Sequence, residues 1–316
     1  HNSENLRNVL KNKKKLNYNG VSINSKKIQN KNLFIAIKGK VNDGHNFVNE
    51  AIQKGASLSV ISNNSKKNNK IIKVANTMVF LNQLAKKFRN TSSAKFIGIT
   101  GSTGKTTVKT MLGTLLKEYS NTYFAPHSYN NHYGVPLSLC NMNLYHKYGV
   151  FEIGMSRQKE IYKLSALVRP HVATITNISE AHLENFKNIK GIAKAKSEII
   201  YNIEKDGAIV LNRDDKFFNY FKKIVKKRKI RVISFGYSKK ANIQFLNILK
   251  DRENFLLKVL IDKKKFDLNI SNNNKNFIMN ILCCLGILEE LNLSFSKIKK
   301  FFKYQSFLKG RGKINK

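Results

Sequence analysis

The chain has 316 residues, 41% of them hydrophobic, with 20 Phe and 12 Tyr; two domains with real cores are expected, and global disorder is excluded. Its formal net charge of +39 comes from 58 Lys and Arg against 19 Asp and Glu. Arg supplies nine of these cations and Lys the other 49, beside about forty Asn, which is the mark of an A+T-rich coding bias, and since solvated Lys reads bases poorly no nucleic-acid partner is expected. Cys140, Cys283 and Cys284 have no CxxC spacing and no neighbouring His, so they argue for a reducing compartment and against a disulfide scaffold or structural zinc. The longest apolar stretch, 277–288, is interrupted by Asn280 and is too short for a bilayer. No signal peptide is visible, although the chain begins at His1; a cytoplasmic protein without a membrane span, acting as a monomer, is expected.

In chain order, Leu33 to Ile37 reads as a buried strand ending at Lys38-Gly39. Asp43-Gly44-His45 is a turn, 47–54 has helical spacing and 57–62 returns to strand. The segment 63–70 has nothing to bury and reads as a surface loop, and 78–89 as a helix leading to the polar stretch 90–93. A small α/β domain over 1–92 and a second domain over 93–316 follow. The second alternates strands (96–99, 148–153, 172–177, 208–211) with helices (105–119, 192–203, 216–229), which predicts an α/β fold with a mostly parallel sheet flanked by helices. The basic 216–229 segment keeps Phe217, Phe218, Phe221, Ile224 and Val225 near helical period, so it reads as a solvated amphipathic helix. No internal repeat is evident.

Between the first strand and helix of that domain lies Thr100-Gly101-Ser102-Thr103-Gly104-Lys105-Thr106-Thr107. Glycines permit a tight turn whose N–H groups converge on phosphate oxygens, and the helix N-terminus adds its positive end. Lys105 would neutralise β- and γ-phosphates and the Thr106 hydroxyl would ligate Mg²⁺. Ile99 stands where the longer GxxxxGK[ST] pattern wants Gly; the shorter TGxxGKT form matches. The chain is expected to bind ATP or a close relative.

Further on stand Phe151-Glu152-Ile153-Gly154, the run 176–184 (TNISEAHLE) and 193–199 (AKAKSEI), with Asn130-Asn131 ahead of Gly134-Val135-Pro136-Leu137. With TGSTGKTT, these motifs resemble the Mur ligases, the ATP-dependent amide ligases of peptidoglycan synthesis. The run from Asn24 through 33–39 to 43–47 is similar to the family's domain for the UDP end of the substrate. The NNxxGVPLSL and AHLENFKNIKGIAKAKSEI stretches resemble the branch that joins D-Ala-D-Ala to UDP-N-acetylmuramoyl-tripeptide, more than the MurE-type branch or a folylpolyglutamate-type synthetase. A nucleotide-dependent nucleic-acid-binding protein is the alternative from another class, and its binding would fall steeply with salt.

The resemblance implies an acyl phosphate formed from the peptide carboxylate and displaced by the amine, with two Mg²⁺ sites. It implies Lys105, Glu152, His182 and Lys196 as the catalytic group. Thr106 and Glu152 would ligate one Mg²⁺, both hard oxygen donors, and Glu152, in an apolar strand, calls for a cation. His182 and Lys196, the latter carbamylated by CO₂, would serve the other; Lys194, two residues away, cannot share a helix face with Lys196. Asn280 would lie near the base, with Asn276 where the family has His. Arg311 would reach the ATP phosphates. Asn130 and Asn131 would hold the muramoyl-peptide, Ser128 replacing a frequent third Asn. Ser25 and His45 are the candidates for the uridine end, with Asn24 replacing a frequent Asp, and Lys159 replaces a frequent Gly after Arg157. Family members carry a third, Rossmann-like domain beyond GRG at 310–312, so this chain alone is expected to bind substrate and nucleotide weakly and to be nearly inactive.

Overall fold

A computed structural model describes residues 4–6, 9, 17–39, 41–62, 69–180, 185–186, 188–298 and 301–304. The chain forms two compact units, 1–93 with 132–144, and 94–131 with 145–316. The first holds a four-stranded parallel sheet in the order β1 (Val21–Ser22), β2 (Leu33–Ile35), β3 (Leu58–Ile61), β4 (Ile71–Lys73). Its β2 and β3 are buried throughout, as expected of parallel strands covered on both faces. Helix α1 (Val48–Gln53) lies between β2 and β3, and α2 (Thr77–Thr91) follows β4. The Asn76 side chain accepts from the Met78 and Val79 N–H groups and so starts α2. Nearly all of the loop expected at 63–70 lies outside the described residues.

The linear boundary at 92/93 needs a correction. Residues 132–144 carry a further helix, α4 (Gly134–Cys140; α3, Lys105–Lys117, belongs to the second unit), and fold with the first unit. Every residue of α4 is buried. Asn141 at its end accepts from Val21 N–H at 2.8 Å and donates to Val21 O at 2.9 Å, closing onto β1. A boundary drawn from composition cannot see a segment that returns.

The second unit is a nine-stranded sheet. Its strands are β5 (Lys95–Thr100), β6 (Thr122–Phe124), β7 (Tyr148–Glu152), β8 (Val172–Ile175), β9 (Ala208–Asn212), β10 (Arg231–Gly236), β11 (Ile243–Asp251), β12 (Asn254–Ile261) and β13 (Lys264–Ile270). The spatial order is β13-β12-β11-β10-β9-β8-β5-β7-β6. Pairing is parallel from β6 to β11, whereas β12 and β13 are antiparallel. The remaining helices are α5 (Glu160–Val168), α6 (Ile189–Ser197), α7 (Phe218–Arg228), α8 (Lys275–Glu290) and α9 (Phe301–Tyr304). The expected helix at 192–203 starts earlier, where Asn188 accepts from Gly191 N–H, and turns to a 3-10 segment at Glu198–Asn202. The apolar stretch 277–288 is α8, which packs with α3 in one core with Ile97, Ile99 and Val150. Among the described residues no helix is long and apolar enough to cross a membrane. β5 is flanked by β7 on one side and β8 on the other, so the strand order reverses at its carboxyl end, where open α/β sheets bind ligands.

Candidate active site

The loop from β5 to α3 lies at that reversal. Gly101 (φ +146°) and Gly104 (φ +80°) both hold backbone angles that favour glycine. A Cβ at Gly101 would stand 1.9 Å from Thr176 Oγ1, and one at Gly104 would stand 2.8 Å from Asn280 Oδ1. Gly104 is also the N-cap of α3, with no side chain to cap it, so the helix leaves N–H donors for an anion. The loop is tied to the segment after β8. Ser102 Oγ donates to Ser179 O at 3.0 Å, Thr176 Oγ1 donates to Thr103 O at 2.6 Å, and Asn177 brackets Thr103, accepting from its N–H and donating to its hydroxyl. Thr100, fully buried, ends β5, and Thr107 faces a cavity of about 580 Å³.

That cavity runs from Thr103, Gly104 and Thr107 past Asn276, Met279 and Asn280 on α8 to Phe235, Asp214 and Tyr237. Asp214 shapes its far end by accepting from the Tyr237 and Ser238 N–H groups. Lys275 Nζ stands 5.5 Å over the Tyr237 ring. An apolar and aromatic wall beside a phosphate loop suits a purine with its ribose.

On the other side of the loop, Thr106 Oγ1 donates to Glu152 Oε2 at 2.9 Å, and Asn130 Nδ2 donates to Glu152 Oε1 at 2.7 Å. Glu152 ends β7 and is 3% exposed. Ser128 Oγ lies 3.1 Å from Thr106 Oγ1, so Ser128, at the position of a frequent Asn, joins the same cluster. Gly154 lets Asn130 approach: a Cβ there would stand 2.9 Å from Asn130 Cγ. Thr106 and Glu152 are hard oxygen donors converging on one spot, a donor set that fits Mg²⁺. Asn131 is exposed beside Asn130.

Two lysines meet on the loop. Lys105 Nζ donates to Gly101 O at 2.9 Å and Ser102 O at 3.1 Å, and Lys196 Nζ, on α6, donates to Gly101 O at 2.9 Å. Lys196 is 2% exposed. Burial, and then the charge of Lys105, pull its ammonium down to about 7. His182 and Arg311 lie outside the described residues. In the first unit, Ser25 Oγ donates to Glu50 Oε2 at 2.8 Å. His45 Nε2 accepts from Ser62 N–H at 3.0 Å, which leaves its proton on Nδ1 to bond Asp43. Both uridine candidates thus have hydrogen bonds within their own unit, as does Asn24, which accepts from Lys26 N–H.

Three contributors escaped the sequence reading. Asp215 accepts from Ile178 N–H and Phe217 N–H, tying the 176–179 segment to the start of α7. Asn177 holds the loop as described. Lys109, 1% exposed, donates to Ala125 O at 2.7 Å and His127 O at 2.9 Å; burial lowers its ammonium, opposed by Glu152. Its signal was present, since Lys109 shares a helical face with Leu112 and Leu116, both buried.

The Mur ligase middle domain matches residues 99–288, and the family's catalytic domain matches residues 17–89. The chain belongs to the Mur ligase family. This Mur ligase chain is 36% identical over 302 residues to a UDP-N-acetylmuramoyl-tripeptide–D-alanyl-D-alanine ligase of Rickettsia prowazekii, covering 95% of the chain and 67% of that relative. Among solved structures, MurF from Acinetobacter baumannii aligns with a TM-score of 0.86 and 27% identity, over 98% of this chain and 69% of that one. MurF from Thermotoga maritima, in complex with ADP, aligns with a TM-score of 0.77 and 28% identity, over 89% of this chain and 65% of that one. The Mur ligase chain spans about two thirds of the length of the curated relatives it matches.

Proposed function

We propose that this Mur ligase carries out ATP-dependent ligation of D-Ala-D-Ala to UDP-N-acetylmuramoyl-tripeptide in peptidoglycan precursor synthesis, as a monomer in the cytoplasm. The observation that carries the reading is the Thr106–Glu152–Asn130 cluster at the mouth of the phosphate loop. It unites the loop's hydroxyl, a buried carboxylate and the Asn motif expected of the family. The relatives' names support the choice of substrates.

Each residue then has a task. The loop from Thr100 to Thr107 holds the ATP phosphates, Lys105 turning from its carbonyls to the anion, and Asn280 borders the base. Arg311 reaches the phosphates. Thr106 and Glu152 would hold one Mg²⁺, and His182 with Lys196, once carbamylated, would hold a second; bound Mg²⁺ would supply charge neutralisation where two anions must meet. Concentrated positive charge lets the peptide carboxylate attack the γ-phosphorus as its bond to ADP breaks, giving an acyl phosphate; the amine of D-Ala-D-Ala then attacks the acyl carbon, inorganic phosphate leaves, and the nitrogen gives up a proton. Asn130 and Asn131 position the muramoyl-peptide, and Ser25 and His45 serve the uridine end. Carbamylation needs a neutral amine. The Lys196 ammonium first gives one proton to solvent; the lone pair of neutral Nζ then attacks CO₂, a C–N bond forms as one C=O π bond opens onto oxygen, a second proton leaves to solvent, and the former cation is an anion.

The test is ADP release by the full-length protein with UDP-N-acetylmuramoyl-tripeptide, with and without D-Ala-D-Ala. Steady release that requires both substrates is expected. Release indifferent to D-Ala-D-Ala would overturn the reading.

A further inference from the structure

The loop 125–131 carries two of the side chains that surround the Thr106–Glu152 pair, yet it has no helix or strand of its own. Its internal backbone bonds are short-range: Tyr129 N–H to His127 O and Asn130 N–H to Ser128 O. From outside, Gly154 N–H donates to Asn130 O at 2.7 Å near the end of the loop, and Lys109 holds its beginning. Its ammonium donates to the carbonyls of Ala125 and His127, on either side of Pro126, at 2.7 and 2.9 Å.

Thr106 and Lys109 are three apart on α3 and share a face. The helix therefore touches the loop twice, through the hydroxyl that meets Ser128 and through the ammonium that meets 125 and 127. Glu152, the acceptor for Thr106 and Asn130, is the charged neighbour of Lys109. Burying an ammonium costs several kcal/mol, and a methionine of similar length would fill the space without that cost. A core-filling role does not account for Lys109.

We propose that Lys109 is a positioning residue: it sets the 125–131 loop so that Ser128 and Asn130 orient Thr106 and Glu152 as a divalent-cation site. This rests on the ligase reading only for the identity of the cation. The side chain acts on the site through the backbone carbonyls of Ala125 and His127.

The test uses Mn²⁺ and ADP as probes, with no turnover. In Lys109→Met, Mn²⁺ affinity in the presence of ADP is expected to fall about 10-fold or more, as for partners that orient metal ligands. ADP affinity without metal should stay within about twofold, and Lys109→Arg, which keeps charge and donors, should hold Mn²⁺ within about threefold. Hydrogen–deuterium exchange should rise across 125–131 and not across 105–117. Unchanged Mn²⁺ affinity in a folded Lys109→Met variant, or an equal loss of metal-free ADP binding, would overturn the proposal. Should that variant fail to fold, the unaltered chain decides: Mn²⁺ with ADP must slow exchange across 125–131, and no slowing refutes the assignment. Mn²⁺ and ADP binding as expected, with no ligation by the full-length protein, sinks the ligase reading and leaves Lys109 its role.

Discussion

Lys105 and Lys196 donate to one acceptor, the carbonyl oxygen of Gly101, each at 2.9 Å. One carbonyl cannot satisfy two full charges. Burial and this neighbour hold Lys196 at about 7, against about 10.4 in an unfolded chain. Between these values the unfolded chain binds more protons, so stability rises with pH from about 7 upward; below that both states are protonated and the dependence ends. The denaturant midpoint in CO₂-free buffer should therefore rise between about pH 7 and 9 more steeply than in Lys196→Met, the difference between the two proteins cancelling the buried thiols, which act oppositely. Parallel pH profiles would remove Lys196 from the cause.

A neutral amine at Lys196 also predicts chemistry. In ¹³C-bicarbonate at pH 8 the protein should show one carbamate resonance, absent in Lys196→Ala. In the full-length protein, ligation by Lys196→Ala should be lost and partly restored by short-chain carboxylates. Full activity of that variant would refute the carbamate role.

Glu152 separates charge from shape. Glu152→Gln preserves partners for Thr106 and Asn130 and should leave stability within about 1 kcal/mol, while Mg²⁺ no longer strengthens nucleotide binding. Glu152→Ala strands the Asn130 amide as well and should cost about 1–3 kcal/mol more. Denaturation curves and ADP titrations with and without Mg²⁺ read both effects.

Gly101→Ala tests the loop. The backbone angle alone should cost about 1–3 kcal/mol. The new methyl would also strike Thr176 Oγ1, which is held by Thr103 O. Calorimetry should find nucleotide binding abolished, and adding Thr176→Ala should recover only part of the stability, because the backbone angle remains.

Lys159 adopts φ +67° where the resemblance expects glycine, and its N–H donates to Glu198 Oε1 at 2.8 Å. Lys159→Gly keeps that bond and relieves the left-handed strain, so it should stabilise the protein by about 0.5–1 kcal/mol after the entropy cost of glycine. A thermal midpoint that does not rise counts against this.

The parallel strands β2, β3, β5, β7, β8 and β9 and the phosphate loop were legible because each is a contiguous signal, an apolar run or glycines joining a strand to a helix, whereas β1, β4, β6 and β10 were not named. The hairpins β11 to β13 were not. The turn between β12 and β13 is made by Asp262 and Lys263, both at positive φ, in a two-residue geometry that sequence usually announces with Asn-Gly or Asp-Gly. Arg252 at φ +52° opens the turn after β11 equally silently. In the site, Thr106 and Glu152 could be named from the motifs. Asp215 and Asn177 could not, because they accept from backbone N–H groups, which leave no trace in residue type; Lys109 left a sign only in its place on an apolar helical face.

The return of residues 132–144 to the first unit means that the chain passes between units at 93/94, 131/132 and 144/145. During vectorial synthesis, α2 waits for α4 while β5, the phosphate loop, α3 and β6 emerge. The first unit can complete itself only after the second has begun. No single proteolytic cut separates the two cleanly, and a fragment ending at residue 93 would display the α2 surface that α4 should cover, making chaperone capture or aggregation its expected fate.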